Sequence, residues 1–175
     1  MTVASPQTLM RLCGEQQLIV PFSQKQRQSG MTWGMSQAGY DIRIAQDVII
    51  YPVTFRNLVL RELGVKRPSF VLASSIEQFN VPNNMLFQVV DKSSWARRGL
   101  AVQNTQGEPG WRGFLTLELS NHSDQVLKIA KGDPIAQIVF HILDRESELP
   151  YVGKYQDQPN RPVADIRDFD VAAEG

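Results

Sequence analysis

Cysteine is almost missing from this chain. Its 175 residues hold one, Cys13, and only two histidines, His122 and His141. A lone cysteine excludes an intramolecular disulfide and fits a reducing compartment. Net charge is missing too: 18 Lys and Arg balance 18 Asp and Glu. Proteins that coat nucleic acid usually carry a basic excess. No nucleic-acid partner is therefore expected, although a local basic pocket is compatible with the balance. No apolar run approaches the ~18 residues of a membrane span, and the opening MTVASPQTLMRL lacks a signal-peptide pattern. These absences predict a cytoplasmic protein with no membrane partner. There is no internal repeat and no low-complexity tract.

What is present suits one soluble domain spanning residues 1–175. Hydrophobic residues make up 42% and charged residues 21%, ordinary values for a globular chain that can bury a core. Ser5-Pro6 ahead of Leu9, Met10 and Leu12 predicts a short N-terminal helix, capped by Ser5 and ending before Gly14. The polar, Gly-containing residues 23–37 predict a loop. From Tyr40 onward the pattern is β. DVIIYPV (47–53), SFVLASSI (69–76), MLFQVVD (85–91), FLTLELS (114–120), QVLKIA (125–130) and IAQIVFHIL (135–143) are short apolar runs between turn residues. Many short strands predict a sandwich or barrel and not a βαβ fold. Residues 56–67 fit either one short helix or an inserted loop. Residues 159–175 have few large apolar and several acidic side chains. They fit a flexible arm or a segment packed on a neighbouring subunit.

The stretch from Asp91 to Asn121 concentrates the chemistry. Ser93, Ser94, Arg97 and Arg98 stand together, and Glu108 and Glu118 flank a Pro109-Gly110-Trp111 turn. Hydroxyls and guanidiniums in one segment suit an anion with many acceptor oxygens. In the strand after the turn, Phe114, Thr116 and Glu118 share one face and Leu115, Leu117 and Leu119 the other. With the leucines in the core, Glu118 points into a cleft or an interface. It is then either paired with a cation, such as Arg112, or held for proton transfer.

DKSSWARRGL followed by EPGWRGFLTLELSN resembles the dCTP deaminases, trimeric relatives of dUTPase. AGYDIR (38–43), FVLASSIE (70–77) with Val81-Pro82, PIAQIVF (134–140) and PYVGKYQDQ (150–158) follow in the family's order. The resemblance implies an all-β fold, a distorted jelly-roll or β-barrel of the dUTPase-like type with a short N-terminal helix. It implies zinc-independent deamination of dCTP to dUTP and ammonia in a homotrimer with sites between subunits. Mg2+ would be bound through the triphosphate, with no metal held by protein side chains, and dTTP is the expected feedback inhibitor. The zinc-dependent deaminases need a paired-Cys motif and a Glu beside the first ligand. This chain has no H-x-E and no C-x-x-C.

By the same resemblance Glu118 is the general acid/base, supported by Arg97 and Ser93. Lys92, Ser94 and Arg98 belong to the same motif and are expected to bind substrate. Glu108 corresponds to a sugar-contacting position that is Asp in the bifunctional relatives, where it also activates water at the α-phosphate. Trp111 resembles a wall beside the deoxyribose; core packing is the alternative. Tyr151, Lys154 and Gln158 resemble the C-terminal arm, about residues 150–175, that closes over the phosphates. AGYDIR, with Asp41, resembles the first shared motif of the superfamily, where the Asp is mainly structural or near the metal-bound phosphates, and Cys13, His122 and His141 are expected to be structural. The segment Gln103-Asn104-Thr105-Gln106-Gly107 is shorter than the family's usual one and lacks its His-Arg pair. Gln103, Asn104, Thr105 and Gln106 either read a base edge or face water. The other readings are a bifunctional enzyme giving dUMP and pyrophosphate, a plain dUTPase, an enzyme on a modified or monophosphate cytosine nucleotide, and a nucleotide-sensing module without turnover.

Overall fold

The structure, a computed structural model, describes residues 2–103 and 105–165. Asn104 and the tail from 166 to 175 lie outside the described residues. In chain order the elements are β1 (Thr2–Val3), α1 (Pro6–Gln16), β2 (Ile19–Val20), β3 (Gln26–Gln28), β4 (Met31–Ser36) and β5 (Gly39–Arg43). They continue with β6 (Val48–Ile50), α2 (Phe55–Glu62), β7 (Phe70–Asn80), β8 (Met85–Asp91), α3 (Ser93–Ala96) and β9 (Leu100–Val102). β10 (Gln106–Gly107), β11 (Arg112–Asn121), β12 (Leu127–Ile129) and β13 (Pro134–Ile142) complete the fold.

Three sheets form. The largest runs β10-β8-β13-β5-β4-β3, with β1 also paired to β13. A second runs β2-β7-β11-β9, and β12 pairs β6. The result is the expected distorted jelly-roll, with sheets that stay open and do not close into a barrel. The inner faces bury Tyr40, Phe79, Phe87, Phe140 and the three leucines of β11. Phe87 centres the aromatic packing, with ring centroids 5.0 Å from Phe79, 5.6 Å from Phe140 and 5.9 Å from Trp111.

Three local expectations need correction. α1 starts as its sequence predicts, with the Thr8 N–H donating to Ser5 Oγ and Pro6 in the first turn. It does not stop at Gly14. It continues to Gln16, and Gln17 takes the left-handed cap at φ 54°. Burial of Leu9, Leu12 and Cys13 carries the helix past the glycine. Residues 23–37 are not a loop: β3 and β4 form a hairpin there. Ser29 (φ 51°) and Gly30 (φ 75°) make its two-residue turn. Two left-handed residues match the right-handed twist of the flanking strands. The β segment expected over 47–53 is a strand only at Val48–Ile50. Of the two readings for residues 56–67, the helix holds for Phe55–Glu62, where Thr54 Oγ1 accepts the Asn57 N–H.

Gly107 couples the fold to what lies around it. A Cβ at this position would sit 2.1 Å from Phe87 Cε1. Gly107→Ala must therefore push the central core ring, an overpacking of the kind that costs about 1–3 kcal/mol. Urea denaturation should show that loss, and an unchanged midpoint would contradict it.

Candidate active site

A cavity of about 430 Å3 opens on the outer face of the β7–β11 pair. Its floor follows from strand register. Thr116 pairs with Ser74, Glu118 with Leu72 and Ser120 with Phe70. Because side chains alternate, Thr116 and Glu118 of β11 face the cavity, joined by Leu115 at the strand's irregularity, while Leu117 and Leu119 fill the core. Residues 105–108 form one rim and the arm from Tyr151 to Asp165 forms another.

Glu118 reaches this cavity from β11. Its Oε2 is buried and has no hydrogen-bond partner among the described residues. Burial pushes its carboxyl above the ordinary range, because the charged form loses hydration. The cation alternative with Arg112 is not realised. Arg112 is exposed and pairs with Asp157 of the arm, Nη2 to Oδ2 at 3.0 Å. Glu118 is thus a carboxylate with open coordination, which suits proton transfer better than structural pairing.

The same cavity gathers Gln106, Glu108, Trp111, Tyr151 and Gln158. Glu108 is exposed, and its Oε1 accepts from Gln106 Nε2 at 3.3 Å. The Pro-Gly turn closes with the Trp111 N–H donating to the Glu108 carbonyl at 3.0 Å, and Gly110 at φ 81° permits it. Trp111 packs in the core, one of the two readings made for it. It is buried against Phe87, its Nε1 donates to the Tyr155 carbonyl at 2.8 Å, and it also lines the cavity.

The arm lies across this cavity on its own subunit. The Gln156 Oε1 accepts the Arg112 N–H, the Gln158 carbonyl accepts the Phe114 N–H, and the Val163 N–H donates to Thr116 Oγ1. Gln158 also forms a bridge with Gly113. Lys154 Nζ lies 2.8 Å from Asp165 Oδ1, which also accepts from Tyr155 Oη. Lys154 does not itself line the cavity.

The Ser-Arg motif falls elsewhere. Ser93, Ser94, Arg97 and Arg98 sit on or just after α3, exposed and outside the Glu118 cavity. Arg98 stacks on Trp95 at 4.5 Å, and Trp95 is anchored by Nε1 to the Pro134 carbonyl. Lys92 is buried and bonds Asp41 Oδ2 at 2.7 Å. Ser93, Lys92 and Asp41 line a second, polar cavity of about 250 Å3 with Lys25, Ser36 and Gln137. Gln103 bonds Ser120 Oγ and does not line the Glu118 cavity, whereas Thr105 does. Cys13 is buried with its thiol pushed up to about 11.

Several lining residues carry no reading from sequence. Phe70 and Leu72 were legible only as alternating strand residues. Which face they share with Glu118 depends on the β7 register. Thr116 was placed on the Glu118 face, but its bond to the arm could not be foreseen. Lys25, Ser36 and Gln137 give no local signal beyond polarity. Val163 and Asp165 lie in the segment that composition marked only as an arm.

The fold is shared with nucleotide enzymes of the dUTPase-like type. The chain aligns with native EIAV dUTPase at TM-score 0.50 and 19% identity, covering 76% of this chain and 94% of that one. It aligns with 2′-deoxycytidine 5′-triphosphate deaminase from Agrobacterium tumefaciens at TM-score 0.57 and 16% identity, covering 80% and 48%. The family profile described as dCTP deaminase-like matches residues 3–143. A protein named dCTP deaminase from Gemmatimonas aurantiaca is 35% identical over 90% of this chain and 96% of its own length. Another of that name, from Acidobacterium capsulatum, is 38% identical over 81% and 87%. The chain belongs to the dCTP deaminase-like family.

Gly113 governs the docked arm. It holds φ 148°, and a Cβ there would meet the Gln158 backbone nitrogen at 2.7 Å. Gly113→Ala should lift the arm and speed limited trypsin cleavage after Lys154 by about tenfold, if the lifted state is populated more by ~1.4 kcal/mol. Equal cleavage rates would show that the arm does not depend on this contact.

Proposed function

We propose that the chain converts dCTP and water to dUTP and ammonia, without zinc. The observation that carries this reading is the half-buried Glu118, whose Oε2 is buried with no hydrogen-bond partner among the described residues, in a cavity of nucleotide size. Names of the relatives support the substrate. Glu118 takes a proton from water as the oxygen bonds C4 of the cytosine. It delivers that proton to N3, then moves the second water proton to the departing amine as the C4–N4 bond breaks. The two water protons end on N3 and on ammonia, and Glu118 returns to its starting state. A carboxyl held above its ordinary range serves both halves, because its acid and base forms lie closer to balance near neutral pH.

The working unit of this proposal is a homotrimer. Ser93, Ser94, Arg97 and Arg98 lie outside their own Glu118 cavity, and a neighbouring copy would present them there. Arg97 and Ser93 then support the attacked end, and Ser94 and Arg98 bind phosphate. Lys92 supports the motif through Asp41 and does not reach the ligand itself. Glu108 and Trp111 face the deoxyribose, Gln106 holds Glu108, and Tyr151, Lys154 and Gln158 belong to the closing arm. Among the described residues no three His, Cys, Asp or Glu side chains cluster to hold a metal. Mg2+ would enter with the triphosphate, bound by phosphate and water oxygens. The chain is read as one domain with an arm from about residue 150, cytoplasmic, with dTTP as a feedback inhibitor. No described helix is long and apolar enough to cross a membrane.

Glu118→Gln keeps the shape and removes the proton carrier. Ammonia release should fall by at least ~100-fold, while dCTP binding measured by calorimetry persists. In the wild type the unprotonated carboxylate starts the reaction. Since burial raises its pKa, kcat/KM should drop on acidification at a pH above the ordinary glutamate value of about 4.3. An acid limb at or below that value, or a Gln variant of near-normal rate, would defeat the assignment.

Glu108 decides between one activity and two. In-line attack at the α-phosphate needs a carboxylate within about 2.6–3.2 Å of the water. Glu sets its carboxylate one bond, about 1.5 Å, further out than Asp, and misplacement by ~1 Å can cost about a hundredfold. Chromatography of the products should show dUTP and no dUMP from dCTP, with added dUTP left intact. Rapid pyrophosphate release would establish the bifunctional reaction instead, and binding with no product at all would leave a sensor.

A further inference from the structure

Glu118 lies between two unlike walls. On one flank its register partner is Leu72, and Phe70 stands one step along the same face, opposite Ser120. Both line the cavity, together with Val163 of the arm. Phe70 is 50% exposed and Leu72 is half-buried, so neither is sealed in the core. On the other flank the chain leaves β9, and the Gln103 N–H bonds the Glu118 carbonyl at 2.9 Å. That segment goes on to Thr105 and Gln106, which bring a hydroxyl and an amide to the cavity. The strand order β7-β11-β9 therefore puts an apolar side and a polar side on either hand of the carboxylate.

A cytosine attacked at C4 has the same asymmetry. N3 and O2 lie to one side of that carbon and the C–H edge of C5 and C6 to the other. Burying N3 and O2 against leucine would leave acceptors unpaired, which is costly. The polar edge therefore faces Thr105 and Gln106, and C5 faces Leu72 and Phe70. We infer that the site takes cytosine deoxynucleotides bearing a small apolar group at C5, and deaminates 5-methyl-dCTP to the thymine nucleotide. This rests on the deaminase reading above. The balance is unchanged: the water oxygen bonds C4, the C4–N4 bond breaks, and the two water protons go to N3 and to ammonia. The methyl group takes no part. It needs the room of about one water, on the order of 30 Å3, at a wall that offers apolar contact.

The test compares ammonia release from dCTP and 5-methyl-dCTP, each with Mg2+, on the full-length protein. One methylene in a pocket that does not fit it costs about 10–200-fold in kcat/KM, so a methyl group that the apolar wall accommodates should lose less than the lower end of that range and reach at least about one tenth of the dCTP value. A lower value with normal dCTP turnover overturns this inference alone. No ammonia from either nucleotide overturns the deaminase reading and this inference with it. Leu72→Asn should lower the ratio of 5-methyl-dCTP to dCTP kcat/KM by about fivefold or more, by loss of the apolar contact. A ratio cancels the amount of folded enzyme, and Phe70→Ala reads the same wall should the Asn variant not fold. An unchanged ratio in the folded variants removes the wall from specificity.

Discussion

The buried pair of Arg43 and Glu77 fixes the two principal sheets to each other. Arg43 ends β5 in the large sheet, and Glu77 lies in β7 of the second. Glu77 is fully buried. Its carboxylate accepts the Arg43 N–H at 2.9 Å and Nε at 2.8 Å. Arg43 in turn stacks on Trp33 at 3.8 Å. Burial pushes the Glu77 carboxyl up, and the three Arg43 contributions oppose that shift. Such a pair adds little net stability against an apolar replacement, yet losing one partner typically costs about 3–5 kcal/mol. Its use here is positional. Four steps of β7, Ser74 to Gln78, face two of β11, Thr116 to Phe114, and Glu77 turns away within that irregularity. Ser75 fills the gap by accepting the Leu115 N–H and bridging Ile44. Beyond it the register is regular, so Leu72 stays opposite Glu118. A slip of one residue would turn every side chain to the other face.

Lys92 and Asp41 form a second buried pair, at 2.7 Å between β5 and the start of α3. The pair, with the Trp95 anchor to Pro134, sets the pose of the four-residue helix. With Lys92 and Trp95 turned inward, Ser93, Ser94, Arg97 and Arg98 are left outward. The motif thus divides its labour: Lys92 and Trp95, three residues apart, hold the loop, and Ser93, Ser94, Arg97 and Arg98 are exposed.

Much of this was legible in the sequence because period-two alternation is a local signal. The Leu115-Leu117-Leu119 row fixed which way Glu118 points, and the Pro-Gly turn fixed where β11 begins. The 23–37 hairpin was not legible, since Gln26, Arg27 and Gln28 give no apolar alternation; only Ser29-Gly30 hinted at a turn. α2 was ambiguous because eight residues make barely two helical turns. The separation of Ser93 and Arg97 from Glu118 was beyond any local reading. It depends on which sheet each strand joins, and nearness in sequence had suggested nearness in space. Val163 against Thr116 is of the same kind, joining positions 47 apart.

The electrostatics of the main cavity carry the last step. Its lining includes Glu108, Glu118 and Asp165 and, among the described residues, no Lys or Arg. Such a lining suits a neutral base and a sugar and opposes a triphosphate. Burial, with no cation among the described lining residues, is what keeps Glu118 chemically useful. A lysine or arginine in direct contact would stabilise the carboxylate, lower its pKa and weaken it as a base. Phosphate-binding charge must therefore approach from outside this lining. The exposed guanidiniums of Arg97 and Arg98 have the right sign and no carboxylate partner among the described residues. Bringing them from a neighbouring copy puts cations at the phosphate end while the apolar floor around Glu118 stays low in dielectric. The proposed trimer would answer a charge problem that a single chain, with acid in the cavity and arginine on its outer surface, does not solve alone.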